Sequence, residues 1–363
     1  HFSRGAWEVN VATFFITLGM YLFISWAKDK RKSLLYFSII SFAASLYTYH
    51  AARLVVPLLG LALLFIYKDR VKGNLKTVLV AGLIGFIFTL PLGRDVLTNN
   101  AFSRAAGVGL FADPGPLNRI NEQRGQHEDF RSLPAVLLHN KAVNYGLAFF
   151  DNWTEHYWGE FLFVSGEEIQ RNKVPETGMM YLFDIIFVIG GLYFIARKPK
   201  GWAPIFFWVV VGPTAAALTF QSPHALRAQN MVVPLVVISA YGLLSIVREF
   251  KKYRKILVPI FSILILWNFA RYQHMYWVHM AKEYPFSSQY GVEELTGFIE
   301  ERKEDYESVV VTDRYDQPYI LYLFYTKYAP EKFQESHEIT PRDEFGLSTV
   351  RHFDKFHFVN MQF

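Results

Sequence analysis

Residues 221–230 read QSPHALRAQN, and they separate two apolar runs: WAPIFFWVVVGPTAAALTF at 202–220 and MVVPLVVISAYGLLSIV at 231–247. Uncharged runs of this length match the roughly 30 Å hydrocarbon core of a bilayer. The stretch between them is then a turn at a membrane surface, and it carries His224 and Arg227 three residues apart. The same pattern recurs along the chain. Eight runs read as spans, at about 9–26, 34–49, 52–67, 77–93, 180–196, 203–220, 231–247 and 256–273. Pro57, Pro91, Pro213, Pro234 and Pro259 fall in or near these runs, where neighbouring helices can satisfy the freed carbonyls.

Composition agrees. The chain is 52% hydrophobic and only 19% charged, against about 25% charged in an ordinary soluble domain. Its mean hydropathy is +0.15. With no cysteine, disulfides, thiolate metal sites and cysteine nucleophiles are excluded. The chain begins at His1 without a cleavable signal and stops within FDKFHFVNMQF, which reads as an unfinished strand, so both ends read as cut.

Charge placement gives an expected orientation. The connectors KDKRK, KDRVKGNLK, RKPK and REFKKYRK carry four, four, three and five basic residues, whereas YTYHAAR and QSPHALRAQ carry one arginine each. The positive-inside rule puts the four basic connectors in the cytoplasm. The expected fold is therefore mainly α: a polytopic transmembrane helical bundle with a long external loop and a small external α/β C-terminal domain. Its parts are helices over 1–93, a loop with helical stretches over 94–179, helices over 180–280, and the α/β domain over 281–363. In that domain SQYGVEELTGFIEERK reads as an amphipathic helix, YESVVVTD as a buried strand and QPYILYLFYTKY as a helix opening on proline. The implied location is the plasma membrane, multi-pass, with the long loop and C-terminal domain outside.

Three turns then reach one external surface: HFSRGAWE with Arg4 and Glu8, YTYHAAR with His50 and Arg53, and SPHALR with His224 and Arg227. Arginine's planar fork of donors suits phosphate oxygens, and histidine donates or titrates. Together they predict a pocket for an anionic, membrane-embedded substrate. Each member also has a plainer reading: Arg53 as a snorkelling anchor, either histidine as a satisfied structural group, Arg4 and Glu8 as an i, i+4 ion pair. The coincidence of three turns is stronger than any single member. The long loop adds Asp151, Glu155, His156 and Glu160 among aromatics, which suits a sugar or acid/base chemistry and equally an interfacial helix with an aromatic belt. Asn152-Trp153-Thr154 matches a glycosylation sequon, a match common by chance. There is no phosphate-binding Walker loop, no dinucleotide glycine fingerprint and no HExxH. No metal site, cofactor or nucleic-acid partner is expected.

HFSRGAWEVNVATFFITLGMYLF, SLYTYHAARLVVPLL, EFLFVSG…R…VPETGMMYL and SPHALRAQNMVVPLVVISAYGL, in this order, resemble the bacterial branch of the protein O-mannosyltransferase-like enzymes, family 39-type members of the GT-C superfamily of membrane glycosyltransferases. The resemblance covers most of the chain and implies inverting transfer of a sugar from a polyprenyl-phosphate donor to a glycan, lipid or protein acceptor outside the membrane. It implies that Arg53 and Arg227, with His50 and His224 beside them, hold the donor phosphate. Arg4, Glu8, Asp151, His156 and Glu160 would line the cleft. The catalytic aspartate of such proteins lies upstream of the segment matching HFSRGAWE, so it is expected before His1 and is assigned to no residue here. Two other classes remain open from the residues alone. A transporter or lipid flippase would carry charge at mid-span or broken repeats, whereas polarity here collects at the surface. A membrane-anchored assembly protein would work through 285–363 and leave Arg53 and Arg227 dispensable.

Overall fold

The structure, a computed structural model, describes residues 5–98, 107–287, 289–313, 317–342 and 348–359. The chain is mainly helical and divides into two compact units, His1–Met275 and Tyr276–Phe363. The division falls a few residues before the expected boundary at 281, and the long loop belongs to the first unit rather than standing alone.

Each of the eight apolar runs forms a helix. In the first unit these are α1 Val9–Asp29, α2 Lys32–Thr48, α3 Ala52–Ile66 and α4 Leu75–Thr98. The long loop contributes α5 Lys141–Glu155. Then come α6 Asp184–Arg197, α7 Ala203–Val211, α8 Val232–Glu249 and α9 Arg254–His274. By length and composition, four helical segments among the described residues can cross a membrane: Val9–Asp29, Leu75–Asp95, Ala225–Glu249 and Lys251–Glu283. α2, α3, α6 and α7 are shorter. On α4 and α9 the apolar residues point outward, with Leu83, Phe86, Ile263 and Leu266 all more than half exposed. An apolar helix with an uncovered apolar face suits a lipid neighbour rather than water.

α1 ends where Lys30 turns left-handed (φ 65°) and its N–H caps Trp26 O, and α2 then runs back along α1. Small residues let the two approach: Ser38 Oγ donates to Gly19 O at 2.7 Å, and Phe42 sits over Gly19. The seam between α6 and α8 is tighter. A Cβ on Gly242 would lie 1.8 Å from Phe187 O, and one on Gly191 2.3 Å from Ile238 O. Only glycine permits this backbone approach, which is how helices gain packing where lipid supplies no hydrophobic drive between them. Ser239 Oγ donates across the same seam to Asp184 Oδ1 at 2.5 Å.

α7 is broken. Gly212 and Pro213 stop it, and a single turn, Thr214–Ala217, follows. A proline has no N–H, so the carbonyl four residues earlier, Val209 O, loses its helical partner. Tyr157 fills the gap, its hydroxyl donating to Val209 O at 2.8 Å. Trp153 Nε1 donates to the next carbonyl, Val210 O, at 2.9 Å. Asn230 braces the other side, accepting from Trp208 Nε1 at 3.0 Å and donating to Gly212 O at 3.1 Å.

The second unit is the expected α/β domain. It contains α10 Val292–Arg302, β1 Val309–Thr312, α11 Pro318–Thr326, α12 Pro330–Ser336, β2 Glu338–Ile339, β3 Val350–Phe353 and β4 Phe356–Val359. The sheet order is β1-β4-β3-β2, with β1 and β4 parallel and the other pairs antiparallel. Phe353 and Phe356 are fully buried with Tyr322, Val350 and Phe358. Two expectations are corrected here. FDKFHF is not one strand but a hairpin, turned at Asp354 (φ 51°) and Lys355; aspartate is among the few residues that visit this backbone region. β1 is half-buried rather than buried: Val309 and Val311 face the core while Val310 is 52% exposed.

Gly242→Ala should lower the Tm in detergent, because the added methyl meets backbone rather than a movable side chain; overpacking of this kind costs about 1–3 kcal/mol. An unchanged Tm would mean that α6 and α8 do not pack as described.

Candidate functional site

The turn quoted at the start is held by the long loop. Val108 and Leu110 pair with Phe220 and Leu218 through Phe220 N→Val108 O (3.3 Å) and Leu110 N→Leu218 O (2.8 Å). From α5, Asn152 donates its side-chain amide to Ala217 O (3.3 Å) and Thr219 O (2.9 Å). Asn152, Trp153, His156 and Tyr157 are spaced i, i+1, i+4, i+5, so one helical face makes all these contacts.

Beneath the turn lie four buried polar side chains. His156, Glu167 and Asn172 are at most 1% exposed, and His224 is 6% exposed. His156 Nδ1 lies 2.7 Å from Asn152 O, a carbonyl that can only accept. Nδ1 therefore carries the proton, and Nε2 accepts from His224 N at 3.1 Å. Both nitrogens are used and the ring is neutral. Burial pushes its pKa down to about 4, with the Asn152 bond opposing. Glu167 Oε1 accepts from Ala225 N at 3.0 Å, capping the short helix Ala225–Ala228 that bears Arg227. Glu167 Oε2 lies 3.7 Å from His224 Nδ1. Burial raises the Glu167 pKa to about 7, offset in part by Asn172, the Ala225 N–H, Arg227 and Lys173. Burial holds His224 down to about 3, helped by Arg227, His156 and Arg171. Glu167 Oε2, Asn172 Oδ1 and His224 Nδ1 are buried without a hydrogen-bond partner.

The residues expected at this site fall into three groups. Arg227 is partly buried, its Nη1 donating to Thr219 Oγ1 at 2.8 Å. With Arg171 and Lys173 it surrounds the Glu167–His224 pair with positive charge. His224 and His156 lie underneath, in the hydrogen-bonded frame; for them the plainer structural role is the one the geometry favours, since His156 has no nitrogen left and His224 faces a carboxyl group. Arg53 is partly buried at the start of α3, with Nε donating to Leu46 O at 3.3 Å, and His50 beside it is exposed. Glu8, Asp151 and Glu160 are exposed, and Glu160 accepts from the Ser165 hydroxyl. Arg4 lies outside the described residues. The first turn of α1 meets the turn before α8 through Gln229 Nε2→Asn10 Oδ1 at 2.5 Å. α3 packs against the broken end of α7, with Ala215 on the core that holds Ala52 and Val55.

Glu167, Asn172 and the Arg171–Lys173 pair were not singled out in the sequence. SGEEIQRNK looks like a wet loop, and no local pattern marks Glu167 as the acid that folds inward. Beside Arg227's helix opens a small crevice of about 150 Å³, lined by Met179, Met180, Ala225, Ala228, Met231 and Leu235. The slot is apolar and methionine-rich, which suits a flexible apolar chain, and the short helix that walls it with Ala225 and Ala228 also carries Arg227, turned to Thr219. Among the described residues no group of three or more His, Asp or Glu side chains could hold a metal ion. Comparison with protein-family models, with curated proteins and with solved structures finds no match for the chain.

Glu167→Ala should destabilise by about 1–3 kcal/mol, the cost of leaving a buried N–H without an acceptor; Glu167→Gln, which keeps an acceptor at Oε1, should cost less. Equal losses would mean that the Ala225 bond is not the reason for the acid. The pH dependence has a sign. The folded pKa of His156 lies below its unfolded value of 6.5, so its neutral form stabilises the fold above pH 6.5, and that stability falls as pH drops from 6.5 toward 4. The fall in Tm across this window should be shallower in His156→Gln; parallel curves would show that His156 does not titrate with folding.

Proposed function

We propose that the chain is an integral-membrane glycosyltransferase, transferring a sugar from a polyprenyl-phosphate donor to a glycan, lipid or protein acceptor on the external face of the plasma membrane. Four membrane-length helices support a bilayer location, and the resemblance of the ordered motifs to protein O-mannosyltransferase-like enzymes supports the class. The carrying observation is the placement of Arg227. Its helix is capped by buried Glu167, and Ala225 and Ala228 of that helix form a wall of the apolar crevice. One short, capped helix thus carries a guanidinium and also walls a slot suited to an isoprenoid chain.

In this reading the acceptor oxygen attacks the anomeric carbon as the bond from that carbon to the phosphate oxygen breaks, with inversion. The electron pair leaves on the polyprenyl phosphate, and Arg227, with Arg171 and Lys173, stabilises the growing charge there. Preorganised donors aimed at a developing anion are among the largest catalytic contributions known. Arg53 is kept as a second phosphate contact from α3. His50, Glu8, Asp151 and Glu160, exposed on their turns and loop, border the cleft. His156 and His224 hold the turn. No residue of the chain is assigned as catalytic base.

The test is turnover of radiolabelled polyprenyl-phosphate mannose, glucose and arabinose by the purified protein in detergent. Arg227→Ala should lower kcat by about 100-fold or more, the usual effect of removing one donor to a developing anion, while the far-ultraviolet spectrum stays unchanged. Arg53→Ala should raise KM or lower kcat. Absence of turnover and binding with every donor would overturn the reading, and full activity of Arg227→Ala would overturn the site.

A further inference from the structure

The other end of α1, about 30 Å along its axis from Asn10 at 1.5 Å per residue, carries a different feature. There the last turns of α1 lie against the connector between α3 and α4. Trp26, buried on α1, has Phe23 at 5.3 Å, and Phe23 has Tyr67 at 5.9 Å. The Arg70 guanidinium stands over the Trp26 ring, 5.9 Å from its centre.

Eight basic side chains come from these two connectors: Lys28, Lys30, Arg31, Lys32, Lys68, Arg70, Lys72 and Lys76. The acids among them are Asp29 and Asp69. Among the described residues none of the eight takes part in an ion pair, whereas Arg197, on the connector after α6, pairs with Glu249 at the end of α8 at 3.4 Å. Arg70 is further exposed to this imbalance. Its Nε and Nη2 are shielded from water and have no hydrogen-bond partner. Donors of a permanently charged group that are left so are costly, and native structures fill them with an acceptor. Among the described residues no acceptor meets them, and the two connectors carry eight basic residues against two acids.

We propose that this end of the first unit binds the phosphate of an anionic phospholipid, with Arg70, held on Trp26, as the anchor and the flanking lysines as its field. The acceptor oxygens missing among the described residues come from the phosphodiester, met as the guanidinium turns outward. Arginine suits this role because its fork meets two phosphate oxygens at once. The acyl chains have a surface ready for them: α4 begins at this connector and presents Leu79, Leu83 and Phe86 outward. Each basic residue near a membrane surface adds about 1 kcal/mol of attraction to anionic lipid, roughly fivefold in affinity. The proposal is independent of the glycosyltransferase reading, which concerns the opposite end of the helices.

The purified protein in detergent is titrated with phosphatidylglycerol, phosphatidylcholine or inorganic phosphate, and bound lipid is read by native mass spectrometry alongside Tm. Phosphatidylglycerol should bind at least about fivefold more tightly than phosphatidylcholine and raise Tm. That preference should fall at least about fivefold in Arg70→Gln and less in Arg70→Lys, which keeps the charge without the fork. Equal binding of the two lipids by the unaltered protein overturns the proposal. So does an equal rise in Tm with inorganic phosphate, which would mark a soluble phosphate ligand instead. An undiminished preference in Arg70→Gln removes Arg70 as anchor. If Arg70→Gln fails to fold, the exposed pair Lys68→Gln with Lys72→Gln reads the same field, and an unreduced preference there counts against the site.

Discussion

A carbonyl without an amide shapes the first unit. Pro213 cannot donate to Val209 O, and in an apolar setting an unpaired carbonyl is expensive. The partner comes from outside the helix, as the Tyr157 hydroxyl. That one requirement brings α5 against α7. Once Tyr157 is in place, the same face of α5 delivers Trp153 to Val210 O and Asn152 to Ala217 O and Thr219 O. The long loop is therefore not an appendage on a helical unit. It completes a helix that could not satisfy itself.

The docking of α5 also sets the chemistry beneath the turn. It places His156 where both ring nitrogens are consumed by backbone groups, and the loop returns to place Glu167 at the N-terminus of the helix bearing Arg227. Burial shifts each of these groups toward its neutral form, while the guanidinium they support keeps its charge. A cation on a helix capped from below loses little freedom when an anion arrives, and that is the physical content of preorganisation.

Much of the fold was legible because hydrophobic periodicity and breakers act locally. Eight apolar runs became helices at nearly the expected positions, and the proline opening α11 behaved as anticipated. Pro213 announced a kink, but nothing local named Tyr157 as the group that repairs it, since the partner sits 52 residues away. Glu167 was missed for the same reason: an acid in SGEEIQRNK is wet by default, and only tertiary contact makes it a buried cap. His156 and His224 were found by type, but their setting was not legible, because a ring's free nitrogens depend on neighbours that the linear pattern does not supply. FDKFHF was read as one strand because the aspartate at its turn is a weaker turn signal than glycine or proline.

The commitment of Asn152 has a further consequence. Asn152-Trp153-Thr154 has the form that oligosaccharide-transferring machinery recognises, and attachment of a glycan would require the side-chain nitrogen to become a substituted, bulky amide. In the folded protein that nitrogen donates to two carbonyls of the segment after Pro213. A sugar there would cost at least one of those bonds and force α5 from its seat. Folding thus masks the tripeptide, and any chain decorated at Asn152 before it folded would be barred from the native arrangement.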